Sequence, residues 1–568
     1  MKLSRLFIVA SISSIRFAHN VLASPPSNST WDYIIVGAGA AGIPLADGLS
    51  ESGKSVLLLE RGFASSHRWG GQLRPSWLDG SNLTRFDVPG LYGYIWTNNT
   101  ENSGILCSDY EATAGCVLGG GTAVNAGLWW KPPHDDWDLV FPPGWHSADM
   151  APYVEKAFRR IPWTDTPSTD GKRYFQNAAT KVTNVLTTAG YTALSANDHP
   201  NAKSSVVSNS EYLFLHGERG GIMATYLVSA AERKNFQLQM NTTVARLVRK
   251  GDTVTGVEVE ASGVGGYSGT IAVTPNTGRV ILSAGVFGTA KILFRSGIGP
   301  KDQLEIVKAS PEGPNMIDEK DWIDLPVGYN LDDNPNAFLV ALDPTIEAYD
   351  YIGAYNTPIA ADAAEYLANR SGPLAQVEGP INPIFWDTVT GGDNITREVQ
   401  WSVNSGALSN TTAIAFTASL GRGKTARGRL TITPNLTINV STLPYFNDPG
   451  AHDATAFTAA IAKVLPLLQQ LPNATLYQPA PGVSAADFVK SLTIDISMSA
   501  SHWVGSTKMG PGGAGGEGWV VDTETRVRGV RGLHVVDAGI VNGVPTSNPQ
   551  SVFVVVAQRA AVEILKLG

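Results

Sequence analysis

The feature that most constrains the fold is a glycine turn directly after a short apolar run. The run Trp31–Val36 is rich in β-branched residues and predicts a strand buried on both faces. The turn Gly37–Gly42 matches G-x-G-x-x-G, and Ile43–Ser52 then predicts a helix of small and apolar side chains. Val56–Glu60 predicts a second strand. Strand, turn, helix and strand in this order form a βαβ unit and indicate an α/β fold.

The three glycines of this turn suit three different tasks in a dinucleotide site. Gly37 allows the tight turn, Gly39 lets the backbone approach a pyrophosphate, and Gly42 lets the helix pack closely on the strand. The helix N-terminus then presents free N–H groups to the phosphates. Glu60, at the end of the second strand, suits hydrogen bonds from ribose hydroxyls. The alternative is a glycine-rich turn without a ligand.

A second glycine-rich segment, Gly115–Asn125, ends in an amide side chain. Such a loop exposes its backbone and can press N–H groups against a planar ring system. The alternative is an ordinary flexible loop, and this segment alone does not decide between them.

With these motifs the sequence resembles the glucose–methanol–choline (GMC) family of flavoenzymes. Besides the glycine turn, the matching blocks in chain order are Leu118–Asn125, Gly278–Gly285, Ser296–Pro300, Pro326–Leu331, Ser501–Trp503, Val536–Gly539 and Asn548–Gln550. Within that family the chain is most similar to the flavodehydrogenase part of fungal cellobiose dehydrogenase. The stretches shared with it are Gly119–Leu128, Leu420–Gly423, His502–Val504 and Pro545–Gln550.

The resemblance implies FAD as the cofactor. It implies a pyrophosphate contact at Gly37, Gly39, Ala40, Ala41 and Gly42, and a ribose contact at Glu60. The remaining implied FAD contacts, from the adenine end to the flavin, are Val244, Asp537, Ala538, Gly120, Gly121, Thr122, Asn125, Asn548, Pro549 and Gln550. No histidine stands where some relatives attach the flavin covalently, so we expect non-covalent FAD. No cluster of cysteine and histidine suggests a metal site.

The resemblance also implies the chemistry, which is oxidation of an alcohol by hydride transfer to flavin N5. Removing a hydride from a carbinol carbon requires that a base take the hydroxyl proton. His502 is expected to be that base, because a neutral imidazole is available near neutral pH. Asn548 is expected to hold the substrate oxygen by a hydrogen bond. A dehydrogenase is favoured over an oxidase, with oxygen, a quinone or a redox protein left open as the electron acceptor.

Two departures from the family pattern bear on the substrate. Ser501 replaces the asparagine that precedes the base in cellobiose dehydrogenases, and Asp332-Asp333 stands where the family often has an acid–histidine pair. The leading substrate is a sugar or related carbinol. An aryl or secondary-metabolite alcohol stays open, as does a non-redox FAD-containing cyclase of the same family. The glycine turn alone would also fit a nicotinamide dehydrogenase. Trp129 and Trp130 are candidates to stack against a sugar ring, although aromatic pairs are more often part of a core. Arg397 and Arg422 are candidates to reach a substrate, although isolated arginines are more often structural or solvated.

We expect two interleaved domains. Residues 31–150, 225–300 and 495–568 would form a discontinuous, Rossmann-like FAD-binding domain. Residues 151–224 and 301–494 would form an α+β substrate-binding domain built on an antiparallel sheet, because residues 335–445 mix short β-like runs with turn residues.

The N-terminus predicts export. Residues 1–23 have basic residues, an apolar run and a small-residue cleavage site, which is typical of a signal peptide, although a disordered tail or membrane anchor has the same general pattern. N-glycosylation sequons begin at Asn28, Asn82, Asn98, Asn241, Asn369, Asn394, Asn410, Asn435, Asn439 and Asn473. Cys107 and Cys116 would pair in an oxidising compartment or remain buried thiols. A net charge of −8 gives no basic footprint for nucleic acid, and we expect no membrane partner.

Overall fold

The computed structural model describes residues 29–377, 380–406, 412–511, 518–546 and 548–567. The expected signal peptide, residues 1–23, and the sequons at Asn28 and Asn410 lie outside these ranges. Within the described ranges, the helices of ten or more residues are Ser147–Arg160, Asn177–Thr188, Gly285–Arg295, Ala360–Asn369, His452–Leu468 and Gln550–Lys566. The shorter α-helices are Gly42–Ser50, Gly121–Val124, Asp135–Asp138, Tyr226–Ala231, Lys301–Ala309 and Ala485–Ser491.

A parallel sheet of five strands forms one layer of the molecule. In spatial order its strands are Leu533–Val535, Arg279–Leu282, Tyr33–Val36, Val56–Leu59 and Phe236–Gln239. The two central strands of the βαβ unit are buried along their whole length, which explains their continuous apolar sequences. The helix Gly42–Ser50 lies against them and against the C-terminal helix Gln550–Lys566. The predicted βαβ unit and the α/β fold class are therefore confirmed.

A seven-stranded sheet forms the second layer. In spatial order its strands are Thr475–Gln478, Asn336–Leu342, Ala413–Leu420, Thr396–Ser405, Ile381–Thr390, Val206–Ser208 and Thr192–Ala193. All neighbouring pairs are antiparallel except the last, which is parallel. The helix His452–Leu468 packs on one face through Phe457, Ile461 and Val464, which are fully buried. The antiparallel sheet expected within residues 335–445 is thus present.

Smaller sheets complete the fold. A four-stranded sheet joins Thr30–Trp31, Gly269–Val273, Thr253–Ala261 and Thr242–Lys250. Two hairpins pair Arg429–Ile432 with Ile438–Thr442, and Phe214–Leu215 with Glu218–Arg219. Across the described ranges, no helix has the length and apolarity needed to cross a membrane. Those ranges also contain no group of three or more His, Cys, Asp or Glu side chains placed to hold a metal ion.

Candidate active site

One large cavity, of about 780 Å³, is lined by residues of both principal sheets and their connecting loops. Sixteen residues that the sequence singles out line it: Gly37, Gly39, Ala40, Ala41, Glu60, Gly120, Gly121, Thr122, Asn125, Val244, His502, Asp537, Ala538, Asn548, Pro549 and Gln550. Of the residues expected to bind FAD or to act in catalysis, only Gly42 does not line it. Asn125 and Gln550, which are 425 residues apart in the chain, are joined here by a hydrogen bond.

The glycine turn forms one wall of the cavity. Gly37 has φ +104°, and a Cβ there would lie 2.4 Å from the Ser283 carbonyl oxygen. A Cβ on Gly42 would lie 1.9 Å from the Gly37 oxygen, so this residue serves helix–strand packing away from the cavity. A Cβ on Gly39 would meet no atom within 4 Å, although Gly39 lines the cavity. The turn therefore offers an open backbone cradle of the kind that a pyrophosphate needs.

The second glycine-rich loop lies directly against this turn. The Gly119 N–H donates to the Ala38 carbonyl at 2.9 Å, and a Cβ on Gly120 would reach the Gly39 Cα at 3.4 Å. A Cβ on Gly121, at the start of the short helix Gly121–Val124, would meet no atom within 4 Å. The two loops thus form one continuous backbone-lined wall of the cavity.

A buried arginine that the sequence does not single out fixes the end of this loop. The Arg219 guanidinium donates to the Asn125 side-chain oxygen at 3.1 Å and to its carbonyl at 2.7 Å. The Asn125 amide in turn donates to Gln550 at 3.0 Å, and Gln550 donates to the Leu128 carbonyl. Burial lowers the pKa of Arg219 to about 10, which still leaves it charged near neutral pH. No local sequence signal distinguishes Arg219 from other arginines.

Two acids at the cavity have different environments. Glu60 accepts N–H groups from Ala38 at 2.9 Å and Gly62 at 2.8 Å, and burial raises its pKa. A carboxylate has about four acceptor sites, so Glu60 retains capacity for ribose hydroxyls. Asp537 accepts from Gly285, Thr289 and Gly539, and burial raises its pKa to about 6. Asp537 therefore ties the C-terminal strand to the helix Gly285–Arg295, in addition to lining the cavity.

His502 and Asn548 face each other at the cavity wall. The Asn548 Nδ2 lies 3.1 Å from the His502 Nε2, and the His502 Nδ1 lies 2.9 Å from the Asn334 Oδ1. Burial lowers the pKa of His502 to about 4, so its imidazole is neutral near neutral pH. A neutral imidazole whose lone pair is on the Nε2, beside the Asn548 side-chain amide, is able to take a proton from a hydroxyl group.

Asp333, the second acid of the Asp332-Asp333 pair, holds the backbone of this histidine. Asp333 accepts the His502 backbone N–H at 2.7 Å and the hydroxyl of Tyr445 at 2.7 Å. Burial raises the pKa of Asp333 to about 6. Asp332 pairs with the buried Lys424 and accepts the Val544 N–H at 3.0 Å. The local contact that the sequence left open is therefore a backbone anchor for the histidine loop.

The tryptophans and arginines considered as substrate contacts lie outside the cavity lining. Trp129 and Trp130 are each 1% exposed, and their indole N–H groups bond to the Ile161 carbonyl and to Asn548. The sugar-stacking interpretation of this pair is wrong, because the surrounding core covers both rings. Arg397 pairs with Asp393 and Asp453, and Arg422 with Asp135, Asp136 and Glu398. Both arginines have structural roles.

The seven-stranded sheet contributes a polar wall that the sequence does not reveal. Its cavity-lining polar side chains, from three neighbouring strands, are Asn336, Gln400, Ser402, Thr417 and Ser419. Ser419 is the cross-strand partner of both Asn336 and Gln400, so these side chains share one face. Gln400 donates to the Asn548 Oδ1 at 3.0 Å, while its own Oε1 is buried with no partner. Aromatic side chains also line the cavity, at Tyr92, Trp96 and Phe338.

Comparisons with known proteins agree with this geometry. Sequence models of the family described as "GMC oxidoreductase" match residues 31–336 and 424–557. Pyranose dehydrogenase 3 of Leucoagaricus meleagris is 26% identical, over 95% of this chain and 94% of its own length. An FAD-dependent oxidoreductase from Chaetomium thermophilum has a similar structure, with TM-score 0.72, 19% identity and coverage of 95% and 99% of the two chains. A fungal aryl-alcohol oxidase has TM-score 0.70, 18% identity and coverage of 95% and 99%.

Proposed function

This chain belongs to the GMC oxidoreductase family, and on that basis we propose that it oxidises an alcohol with FAD as the hydride acceptor and His502 as the base. The observation that carries the proposal is the His502–Asn548 pair, 3.1 Å between Nε2 and Nδ2, in the same cavity as the glycine turn. A buried, neutral imidazole next to an amide donor is suited to deprotonate a hydroxyl group.

In this proposal the residues of the cavity have separate roles. Bound FAD would supply the acceptor for the hydride of the carbinol carbon. The His502 Nε2 takes the hydroxyl proton, and the Asn548 Nδ2 donates a hydrogen bond to the same oxygen, which orients the alcohol. The open backbone at Gly39 and Gly121 would hold the cofactor, with Glu60 at its ribose.

We propose that the FAD is held without a covalent bond. Among the described residues, His502 is the only histidine that lines the cavity, and it is engaged on both ring nitrogens. The cavity-lining cysteines, Cys107 and Cys116, are joined to each other. Acid precipitation should therefore release all of the flavin into the supernatant, and flavin that stays with the protein pellet would contradict this proposal.

The substrate that we propose is a sugar or related polyhydroxylated carbinol. The polar wall of the seven-stranded sheet supports it, because several hydroxyl groups on one molecule need several donors and acceptors. The similarity to cellobiose dehydrogenase noted in the sequence points to the same substrate class.

An aryl alcohol is the second candidate. Ser501 is short and exposed, and Tyr92, Trp96 and Phe338 provide aromatic contacts at the same cavity. Tyr92 and Trp96 lie edge to face with ring centroids 6.1 Å apart, a geometry that a third ring could join.

The deciding experiment is an anaerobic titration of the purified holoprotein with sugars and aryl alcohols, followed by flavin absorbance. Bleaching by one class identifies the substrate, while no bleaching by any alcohol favours the non-redox cyclase reading. His502→Ala should abolish bleaching, whereas His199→Ala, at an exposed histidine away from the cavity, should not. Bleaching that survives His502→Ala would refute the proposed base.

We propose that the enzyme is a dehydrogenase rather than an oxidase. Mixing the reduced holoprotein with oxygen or with a quinone, and following flavin reoxidation, measures this directly. The dehydrogenase proposal expects faster reoxidation by the quinone, and a faster reaction with oxygen would overturn it.

The division into two domains at the boundaries given above is also a proposal. The five strands of the parallel sheet all come from the segments assigned to FAD binding, and the seven strands of the second sheet all come from the other segments. Limited proteolysis that releases a stable fragment across these boundaries would contradict the division.

We further propose secretion and N-glycosylation. The disulfide between Cys107 and Cys116 suits an oxidising compartment. The sequon asparagines exposed to solvent are Asn82, Asn98, Asn369, Asn394, Asn435, Asn439 and Asn473, while Asn241 is half-buried. Enzymatic deglycosylation of protein recovered from the medium of the producing cells should lower its mass, and an unchanged mass would contradict glycosylation.

A further inference from the structure

Two residues that do not line the cavity, Trp130 and Asn334, hold the ends of a hydrogen-bond chain through Asn548 and His502. The chain runs from the indole of Trp130 to Asn548, then to His502, then to Asn334, and ends at the Leu420 carbonyl. An imidazole can carry its proton on either nitrogen, and the partner of each nitrogen decides which. The two ends of this chain determine that choice.

The first end is a group that can only donate. The Trp130 Nε1–H lies 3.2 Å from the Asn548 Oδ1, so the amide oxygen of Asn548 must face the indole. The Gln400 Nε2 also donates to this oxygen, at 3.0 Å, but the Gln400 amide can reverse together with Asn548 because its own Oε1 has no partner, so the indole alone fixes the direction. The amide nitrogen of Asn548 therefore faces the His502 Nε2 at 3.1 Å. An amide NH₂ group only donates, so Nε2 must accept and carries no proton.

The second end is a group that can only accept. The Asn334 Nδ2 donates to the Leu420 carbonyl at 2.8 Å, so the Oδ1 of Asn334 faces the His502 Nδ1 at 2.9 Å. An amide oxygen only accepts, so Nδ1 must carry the proton. Both ends therefore assign the same tautomer to His502, with the proton on Nδ1 and a lone pair on Nε2.

We infer that Trp130 and Asn334 are positioning residues, which fix His502 in the tautomer whose Nε2 can take a proton from the substrate. This inference rests on the proposed function, because it assigns the lone pair to the nitrogen beside Asn548. Without these anchors the Asn548 amide could turn, present its oxygen to Nε2 and stabilise the tautomer that cannot act as a base. The low pKa that burial gives to His502 keeps the ring neutral, so the tautomer decides whether it can accept a proton.

The chain offers a matched pair of variants. Trp130→Phe removes the indole donor at Asn548. Trp129→Phe removes an equally buried indole, 1% exposed, whose N–H bonds to the Ile161 carbonyl at 3.0 Å instead. Asn334→Leu removes the acceptor at Nδ1 with little change in volume, and Asn334→Asp keeps an acceptor there.

The test measures the tautomer directly by ¹⁵N NMR of histidine-labelled holoprotein, with the His502 signals identified by their loss in His502→Gln. We expect the Nδ1–H form in the wild type, Trp129→Phe and Asn334→Asp, and a mixture of both forms in Trp130→Phe and Asn334→Leu. Anaerobic flavin reduction should slow about tenfold in those last two variants, the scale of about one lost hydrogen bond, with little change in the substrate concentration for half-saturation. Trp129→Phe should stay within about twofold of the wild type.

An Nε2–H tautomer in the wild type would overturn the inference, as would an unchanged tautomer and rate in both Trp130→Phe and Asn334→Leu. If one of these two variants fails to fold, an unchanged tautomer and rate in the other overturns the inference. The NMR measurement of the tautomer needs no turnover. Failure of the proposed function would appear as no bleaching by any alcohol, and it can therefore be distinguished from failure of this inference.

Discussion

At the scale of single residues, the two side chains proposed to act on the substrate are held by residues from distant parts of the chain. His502 and Asn548 could be selected because their motifs resemble those of a known family. Their supports could not, because Asn334 is 168 residues from His502 and Trp130 is 418 residues from Asn548. A hydrogen bond between such distant positions depends on the packed fold and leaves no periodicity or spacing in the sequence.

The pH dependence of flavin reduction should report the burial of His502. Burial disfavours the imidazolium and lowers the pKa from 6.5 to about 4, so the base stays deprotonated as the pH falls through 6 and 5. In stopped-flow measurements of anaerobic flavin reduction, we expect the rate to lose half its value near pH 4. An acid limb near pH 6.5 would mean that the ring is solvated in the working enzyme.

At the scale of elements, the glycine turn contains one residue that serves packing and another that is open to the cavity. Gly39 and Gly42 both belong to the same pattern, yet only Gly42 is packed against other atoms. The predicted helix at 43–52 is observed as Gly42–Ser50, and the strand at 56–60 as Val56–Leu59. The helix Ala360–Asn369, inside a region interpreted as β, was missed. Only Ala363 and Tyr366 of that helix are buried, so its apolar pattern is too sparse to detect.

Substitutions at Gly39 and Gly42 should therefore affect two different properties, cofactor binding and stability. Gly39→Ala should leave the melting temperature of the FAD-free protein near that of the wild type and weaken FAD binding about tenfold or more, because the new methyl group occupies the cradle. Gly42→Ala should lower the free energy of unfolding by about 1–3 kcal/mol, because its Cβ would lie 1.9 Å from the Gly37 oxygen. Flavin fluorescence titration and thermal melts measure the two effects, and equal loss of stability in both variants would contradict this division.

The start of the helix His452–Leu468 depends on a buried ion pair. The Asp453 Oδ1 lies 2.6 Å from the Arg397 Nε, and both side chains are fully buried. Asp453→Ala should lower the free energy of unfolding by about 3–5 kcal/mol, because it leaves a buried guanidinium with one carboxylate fewer. Glu305→Ala, at an exposed pair with Lys301, is the control and should change it by less than about 1 kcal/mol in urea unfolding. If the two variants lose similar amounts of unfolding free energy, the buried ion pair is no more important to stability than the exposed one.

At the scale of the whole molecule, strands far apart in the chain are neighbours in space. The parallel sheet takes strands from Tyr33–Val36 to Leu533–Val535. A strand such as Val56–Leu59 can be predicted from its own apolar run, but its neighbours cannot, because parallel pairing is decided by crossovers of any length. Only the resemblance to a known family allowed the expected domains to be drawn across so many segments.

The single disulfide should affect cofactor binding as well as stability. Cys107 and Cys116 close a loop whose residues line the cavity, including Tyr110 and Gly115. Replacing both cysteines by serine should lower the free energy of unfolding by about 2–3 kcal/mol and weaken FAD binding, since the loop gains freedom that binding must remove. Urea unfolding and flavin titration test both effects. Unchanged FAD affinity would show that the loop keeps its conformation without the bond.

The long separation in the chain between the glycine turn and the pair His502 and Asn548 has a consequence for biosynthesis. The helix Gln550–Lys566 and the edge strand Leu533–Val535 pack on elements that leave the ribosome hundreds of residues earlier. At typical translation speeds of about 5–20 residues per second, the nascent N-terminal half waits for roughly ten seconds or more with its partner surfaces uncovered. Cofactor capture in a complete site must therefore wait until these later elements have emerged, and chaperones have a defined interval in which to protect the growing polypeptide.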